Sequence, residues 1–329
     1  MYPFTQEAPV AMCQLVAHHL ADQAESSMPA QPNAGLFCVG ISTLDYVYQL
    51  DMMPLRPEKH RAKALSVVGG GLAANAAVAA ARLGGRVMMA TRLGDDVAGA
   101  QIAAEFAAEG LDCQYVRHLR GFSSPVSSIM VDNAGERLVV SYSDPAMPTD
   151  PSWLPDVLPD GIDAICGDTR WPEGALKMLL VARKAQKPAV LDGDRKVDIT
   201  LVEAATHVVF SEQGIRETTG ISDPSDALAA IGPMSQNWLA VTLGSRGMMH
   251  WSGHQIVHTA SFDVEVVDTL GAGDVWHGAF ALALGEGRNE HSAIRFANAA
   301  AALKCTRFGG RKGAPSRAEV NGFLKGEMS

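Results

Sequence analysis

The sequence predicts an α/β fold, with one mainly parallel sheet covered by helices on both faces and a small accessory sheet beside it. Three observations carry this expectation. From Gly35 onward, short apolar runs alternate with helical patterns, as buried parallel strands and their crossover helices do. Two segments, Tyr46 to Met52 and Ser127 to Tyr142, instead alternate apolar and polar residues, the pattern of half-exposed antiparallel strands. The composition, 47% hydrophobic and 19% charged over 329 residues, suits a large buried core and not a disordered chain.

Residues 1–34 differ in texture. A short helical pattern over Val10 to Ala24 leads into Ser26-Ser27-Met28-Pro29-Ala30-Gln31-Pro32-Asn33, which reads as a linker. We treat 1–34 as a mobile N-terminal extension, with Met28 as an alternative start, and 35–329 as one domain. Leu36 to Ile41 is the first buried strand. Val87 to Thr91, Ala164 to Gly167, Ala189 to Asp192, His207 to Phe210 and Leu239 to Leu243 follow as strands. The helical patterns cover Ala73 to Leu83, Ala98 to Glu109, Gly174 to Ala185, Asp226 to Ile231, Val275 to Leu284 and Glu290 to Leu303. The two alternating segments place the accessory sheet within about residues 46–68 and 126–143, with a turn at 133–135.

Several function classes are excluded at this point. Lys and Arg number 27 against 36 Asp and Glu, a net charge of −9, so no basic surplus exists to hold nucleic acid. No apolar run approaches the ~18 residues of a membrane span. The N-terminus carries Glu7 and no basic start, unlike a secretion signal. Five scattered cysteines, Cys13, Cys38, Cys113, Cys166 and Cys305, without CxxC spacing, read as reduced thiols. A cytoplasmic protein is the expectation, and the pair His18-His19 lacks partners for a metal.

Chemistry concentrates in Val266-Val267-Asp268-Thr269-Leu270-Gly271-Ala272-Gly273-Asp274-Val275. The pattern predicts a strand ending at Asp268-Thr269, a turn of small residues, and a helix starting at Val275. Small residues there leave backbone N–H groups uncovered at a helix N-terminus, where an anion is favoured. Asp274 reads in two ways, as a helix cap or as a carboxylate taking a proton beside a phosphate. A second motif, Val67-Val68-Gly69-Gly70-Gly71-Leu72-Ala73-Ala74-Asn75, lets backbone approach a ligand at the start of a helix. It lacks the dinucleotide spacing, and no G-x-x-x-x-G-K-[ST] occurs anywhere, so a P-loop is excluded.

In this order the two motifs resemble the signatures of the PfkB, or ribokinase-like, carbohydrate kinases. Gly69-Gly70 with Asn75 matches the first, Asp268 to Asp274 matches the second throughout, and the resemblance spans about residues 35–325. It implies a ribokinase-like three-layer α/β/α fold whose small β-sheet is a lid over the sugar and the interface of a homodimer. It implies ATP- and Mg2+-dependent phosphorylation of a small-molecule sugar. Asp274 would be the general base, with Gly271, Ala272 and Gly273 forming the anion hole for the γ-phosphate. Asp45, at the end of the first strand, would bind sugar hydroxyls with Gly70, Gly71 and Asn75. The nucleotide would lie over Thr242, Gly244 and Gly247 and against the helix of Asn298 and Ala301. Asp268 and the loop after Lys304 resemble a monovalent-cation site for K+. Many members carry N-x-x-E where this chain has Ser211-Glu212-Gln213-Gly214, leaving Glu212 to organise Mg2+ through water.

The substrate is read from three cations. Lys59 lies between lid strands, Arg170 directly follows a buried strand, and Arg137 sits in a lid turn, where it reads as a solvated surface charge. Strand ends are where α/β sheets keep ligands, so Arg170 suggests an anionic sugar. Asp168-Thr169-Arg170-Trp171, Leu191-Asp192-Gly193-Asp194 and Phe210-Ser211-Glu212 are similar to the sulfofructose-kinase branch of the family. That likeness implies 6-deoxy-6-sulfofructose as the ketose, with Lys59 and Arg170 on its sulfonate, although Ser141 replaces the Asn expected there. Ribokinase, fructokinase and nucleoside kinase chemistry, or sugar binding without turnover, are the alternatives. His277 reads as a packed core histidine. Gly309 to Gly313 reads equally as a phosphate-contacting loop or an exposed turn.

Overall fold

A computed structural model describes residues 33–133 and 136–326; the expectations for the helix at 10–24, the linker, His18-His19 and Cys13 lie outside them. β1 (Gly35–Val39) is an interior strand of a large sheet. β2 (Thr43–Gln49) and β3 (Ala64–Gly70) leave it for a small sheet, β4 (Arg86–Gly94) and β5 (Asp112–Leu119) return, and β6 (Val126–Val131) and β7 (Arg137–Tyr142) leave again. β8 (Ala164–Asp168), β9 (Ala189–Gly193), β10 (His207–Ser211), β11 (Trp238–Thr242), β12 (Met248–Trp251) and β13 (Ile256–Thr259) complete the large sheet.

The large sheet runs in the order β13-β12-β11-β10-β9-β8-β1-β4-β5. Neighbours pair in parallel from β5 through to β11, and β12 and β13 close one edge antiparallel. The small sheet is β3-β2-β6-β7, with β2 parallel to β6 and the outer pairs antiparallel. The chain passes from the C-terminal end of β1 directly into β2, so this sheet begins where parallel sheets present their ligand sites. It starts at Thr43, earlier than the expected 46, and it includes Asp45, which therefore sits on the lid and not at the end of the first strand.

The helices are α1 (Leu72–Arg82), α2 (Val97–Ala108), α3 (Pro172–Lys184), α4 (Ile199–Ala204), α5 (Glu212–Thr219), α6 (Pro224–Ile231), α7 (Ala272–Gly285), α8 (Glu290–Cys305) and α9 (Arg317–Leu324). Alternate residues of β1 serve opposite cores. Leu36 and Cys38 join the core under α1, α2, α7 and α8, whereas Phe37 and Val39 join the one under α3 to α6. That alternation makes three layers, as the continuous apolar strands require. β5, β12 and β13 were not legible as strands, because polar residues interrupt their apolar pattern.

No strand forms before Asp274. Val266 and Val267 are exposed, and the N–H groups of Val267 and Asp268 both donate to the Cys305 carbonyl at 2.8 and 3.0 Å. Among the described residues no helix is long and apolar enough to cross a membrane. Cys38, Cys113, Cys166 and Cys305 are free thiols.

Candidate active site

The site is built where α1 and α7 meet. Gly278, one turn beyond Asp274, lets the two helices touch backbone to backbone: a methyl group there would lie 2.2 Å from the Ala76 carbonyl oxygen. This close approach brings Asn75 of α1 to α7, where its Nδ2 donates to Asp274 Oδ2 at 2.7 Å. Asn75 is buried and its Oδ1 has no partner. A buried carbonyl oxygen without a donor is costly.

The helix of Asp274 starts earlier than expected. Gly271, in the left-handed region at φ 78°, precedes the first helical residue, Ala272. Asp274 thus sits inside the first turn and caps nothing. The Ala272 N–H turns back to the Thr269 carbonyl at 3.2 Å, which removes it from the expected anion hole. Among the described residues, those of Gly273 and Asp274 make no hydrogen bond, and a side chain at Gly273 would enter open space. Two free donors at the positive end of a helix dipole remain to take an anion.

Around Asp274 the topology gathers acids from separate strands. Asp45 is buried on β2 and accepts from Thr43 Oγ1 at 2.8 Å; its carboxylate lies so close to Gly70 that a methyl group there would be 1.9 Å from Oδ2. Asp168 ends β8 and takes the N–H groups of Ile41 (2.8 Å) and Ala73 (3.1 Å) on Oδ2 and that of Arg170 (2.8 Å) on Oδ1. It thereby ties the end of β1 to the start of α1. Asp194 accepts from Thr169 Oγ1 at 2.6 Å and is ion-paired to Arg170. Burial foremost, then the negative charges of Asp194, Asp168 and Asp45, push the Asp274 carboxyl up to about 7, against the opposing Asn75 hydrogen bond. Burial also raises Asp192 well above the usual range, helped by Asp274, Asp194 and Asp168. A carboxylate with such a pKa suits proton abstraction near neutrality.

Asp168, Asp192 and Asp194 are site residues that the motifs did not single out for a role; the only signal was an acid at the end of each successive parallel strand. His277 is buried as expected of a core residue. Its ring nitrogens face the Gly273 carbonyl (2.8 Å) and the Val209 carbonyl (3.3 Å), and Nδ1 is 3.3 Å from Asp192 Oδ2.

Other expected site residues fare differently. Thr242 ends β11, and Gly244 and Gly247 bound the turn after it. Asn298 does not face a nucleotide. It is buried, its Oδ1 takes the Trp276 indole N–H at 2.7 Å and its Nδ2 donates to the Ala260 carbonyl at 3.0 Å, while its neighbour Ala301 is partly open. Glu212, partly exposed, pairs with the Arg246 guanidinium at 2.6 Å and does not by itself form a metal cage. Nor do the described residues hold any group of three His, Cys, Asp or Glu fit for a metal.

Asp268 does not fit a K+ ion, because its oxygens already have four donors. Oδ1 accepts from Leu270 N–H at 2.8 Å, and Oδ2 from the N–H groups of Gly309 and Gly310, each at 3.0 Å. The fourth is Lys304 Nζ, 3.1 Å from Oδ2 and 2.7 Å from the Asp268 carbonyl oxygen. The glycine loop at 309–313 therefore binds the protein's own carboxylate.

Lys59 is exposed in the loop between β2 and β3, without a bond to the acid cluster. Arg170 lines a pocket of about 180 Å3 beyond the ends of β1 and β8, together with Arg92, Thr91 and Gly40. Arg92 stacks on Trp171 at 4.7 Å and donates to the Pro148 carbonyl at 2.9 Å, and the buried Thr91 hydroxyl has no partner.

The chain matches the pfkB family carbohydrate kinase profile over residues 33–317. Ribokinase of Bacillus subtilis (strain 168) is 31% identical over 291 residues, spanning 87% of this chain and 98% of that protein. An Agrobacterium tumefaciens protein provisionally assigned as a ribokinase has a crystal structure that is 36% identical. It superposes with a TM-score of 0.82 over 90% of this chain and 100% of that one. Arabidopsis thaliana ribokinase complexed with ribose and ATP is 25% identical and superposes with a TM-score of 0.76, covering 89% and 99%.

Proposed function

The chain belongs to the pfkB family of carbohydrate kinases, and on that premise we propose that it phosphorylates a small ketose-type sugar at one hydroxyl, using Asp274 as base. The observation that carries this reading is the pairing of a carboxyl pushed up to about 7 with free N–H groups on the same helix turn. The sugar hydroxyl oxygen attacks the γ-phosphorus of ATP, the bond to the β-phosphate oxygen breaks, and the proton passes to Asp274. The N–H groups of Gly273 and Asp274 receive the charge of the transferring phosphoryl group. Asp45 and the unpartnered Asn75 Oδ1 take sugar hydroxyls, since both are acceptors beside the base: Asn75 is bonded to Asp274 through Nδ2, and the Asp45 charge acts on it. The turn at 244–247 and the open flank of Ala301 accept the nucleotide. Where Mg2+ is bound, it would neutralise charge on the nucleotide phosphates, since the described residues offer it no cage of their own.

The sugar we favour is 6-deoxy-6-sulfofructose. The support is Arg170 at the end of β8 with Arg92 in the same pocket, two guanidiniums suited to a sulfonate's oxygens. Lys59, exposed on the lid, is the third cation of this reading. The relatives favour a second sugar, ribose, because ribokinases span this chain nearly end to end. ADP release with sulfofructose, fructose and ribose separates the two. Sulfofructose must exceed fructose clearly, and Arg170→Ala must remove that preference; equal turnover of fructose, or ribose as the best substrate, rejects it. We further propose that two copies pair through the small sheet. β7 is exposed along its whole length, with Leu138, Val139, Val140 and Tyr142 uncovered, an edge open to a second strand. The cytoplasmic setting and the role of residues 1–34 as an extension belong to the same proposal.

A further inference from the structure

The loop that presents the anion site is held from behind by a charge the reaction does not use. Lys304, near the C-terminal end of α8, is fully buried. Its Nζ donates to the Asp268 carbonyl oxygen at 2.7 Å and meets Asp268 Oδ2 at 3.1 Å. The next residue grips the same loop, since the Cys305 carbonyl accepts the N–H groups of both Val267 and Asp268. Gly309 and Gly310 close Oδ2 from the other side. Three residues beyond Asp268 stands Gly271, the residue that sets the helix start and the direction of the Gly273 and Asp274 N–H groups.

Asp268 turns a carboxylate oxygen and its own carbonyl oxygen to one point, hard oxygen donors of the kind a large monovalent cation takes, and an ammonium group is about the size of potassium. We infer that the Lys304 ammonium is a built-in replacement for a monovalent cation, so that the phosphate-binding turn is set without any added K+ or Na+. Asp268 and Lys304 cancel in charge, leaving nothing for a second cation to neutralise. Arg137, on β7, adds a further positive charge within electrostatic reach of Lys304. An ion entering here would meet two cations and a carboxylate oxygen that already holds three donors. Lys304 touches no reacting atom in this account; it is a positioning residue, acting through Asp268 on the turn. The inference concerns the site of the kinase reading above and rests on that reading for its kinetic consequence.

The test compares the wild-type chain with Lys304→Ala and Lys304→Met, in tetramethylammonium buffer and after adding saturating KCl or NH4Cl. Wild-type ADP release is expected to change by less than about twofold with either salt. Lys304→Ala opens a hollow of ammonium size and loses on the order of 10²-fold in kcat without K+, because the turn is misplaced. KCl or NH4Cl refills it and restores roughly tenfold or more, a chemical rescue by an ion that binds only the folded site. Lys304→Met fills the hollow with an uncharged chain and stays slow in every salt. Thermal denaturation reads the same site without turnover: K+ raises the melting temperature of Lys304→Ala and not that of wild type. A wild-type rate that climbs about tenfold or more with KCl overturns the inference, as does K+ stabilisation of wild type equal to that of Lys304→Ala. If Lys304→Ala does not fold, the wild-type salt titration still decides. If wild type turns over no sugar in any salt, the kinase reading fails and the melting comparison alone judges the cation.

Discussion

Asp274→Asn separates the chemistry of Asp274 from its structural cost. The substitution is nearly isosteric, and the new amide oxygen still accepts the Asn75 Nδ2 hydrogen bond held at 2.7 Å in the native chain. It removes one negative charge from a cluster that includes Asp45, Asp168 and Asp194. Loss of a general base costs about 10²–10⁴-fold in turnover, while sugar binding is largely retained. Stability moves the other way. The carboxyl is pushed from 3.8 to about 7, so between those values the native state holds a proton that the unfolded chain releases. The native state is therefore penalised increasingly as pH rises from 3.8, in full above 7. At 1.36 kcal/mol per unit the penalty reaches about 4 kcal/mol, a ceiling because water still reaches this carboxylate. Asp274→Asn should thus melt a few degrees higher than wild type at about pH 8, with less than half of that gain left at about pH 5. Turnover assays and melting scans across pH check both halves. A variant that keeps near-normal turnover, or that melts lower than wild type above neutrality, refutes the reasoning.

The same site sets four further expectations. For wild type, kcat/KM should rise with pH through an apparent pKa near about 7, because only the ionised Asp274 accepts a proton; a rate flat across that range excludes it as the base. Asn75→Ala removes the hydrogen bond that lowers that pKa, so the acid limb should shift to higher pH while the sugar KM rises; an unmoved limb contradicts the assignment. Gly278→Ala drives a methyl group against the Ala76 carbonyl, and separating α1 from α7 should cost about 1–3 kcal/mol in a denaturant titration and weaken turnover together; unchanged stability would show that the helices tolerate separation. Gly70→Ala displaces the Asp45 carboxylate, and should raise the sugar KM roughly tenfold or more with little change in the ATP KM; equal effects on both substrates would remove Asp45 from sugar binding.

What the sequence made legible follows the strength of its periodic signals. The interior strands and the long helices were readable because both their faces, or one full helical face, must be apolar. β5 and β13, at the edges of the large sheet, carry polar residues that interrupt this signal. α5 was hidden because Glu212-Gln213 and Arg216-Glu217 break its apolar face. The glycine and aspartate run pointed to the phosphate turn, but not to the register in which Ala272 opens the helix and spends its own N–H on Thr269. Asn75 was visible as a sugar ligand and not as the group that orients Asp274, since that contact spans 199 residues of sequence. Glu212, Asn298 and Asp268 were plausible ligands by position. Each has a protein partner, Arg246, Trp276 or Lys304, that only the fold brings to it. Asp192 and Asp194 stood in a stretch that carries the family resemblance but had no role assigned, because only the topology turns acids at separate strand ends into one electrostatic cluster.

The central claim is that the Asp274 turn performs sugar-dependent phosphoryl transfer from ATP. The most direct measurement is ADP release by the wild-type chain with Mg2+ and ATP over a panel of sulfofructose, fructose, ribose and a nucleoside, each beside a sugar-free control. The account predicts turnover that depends on the added sugar and is greatest with an anionic ketose. Saturable sugar binding without ADP release, or a rate the same with and without every sugar, would contradict it.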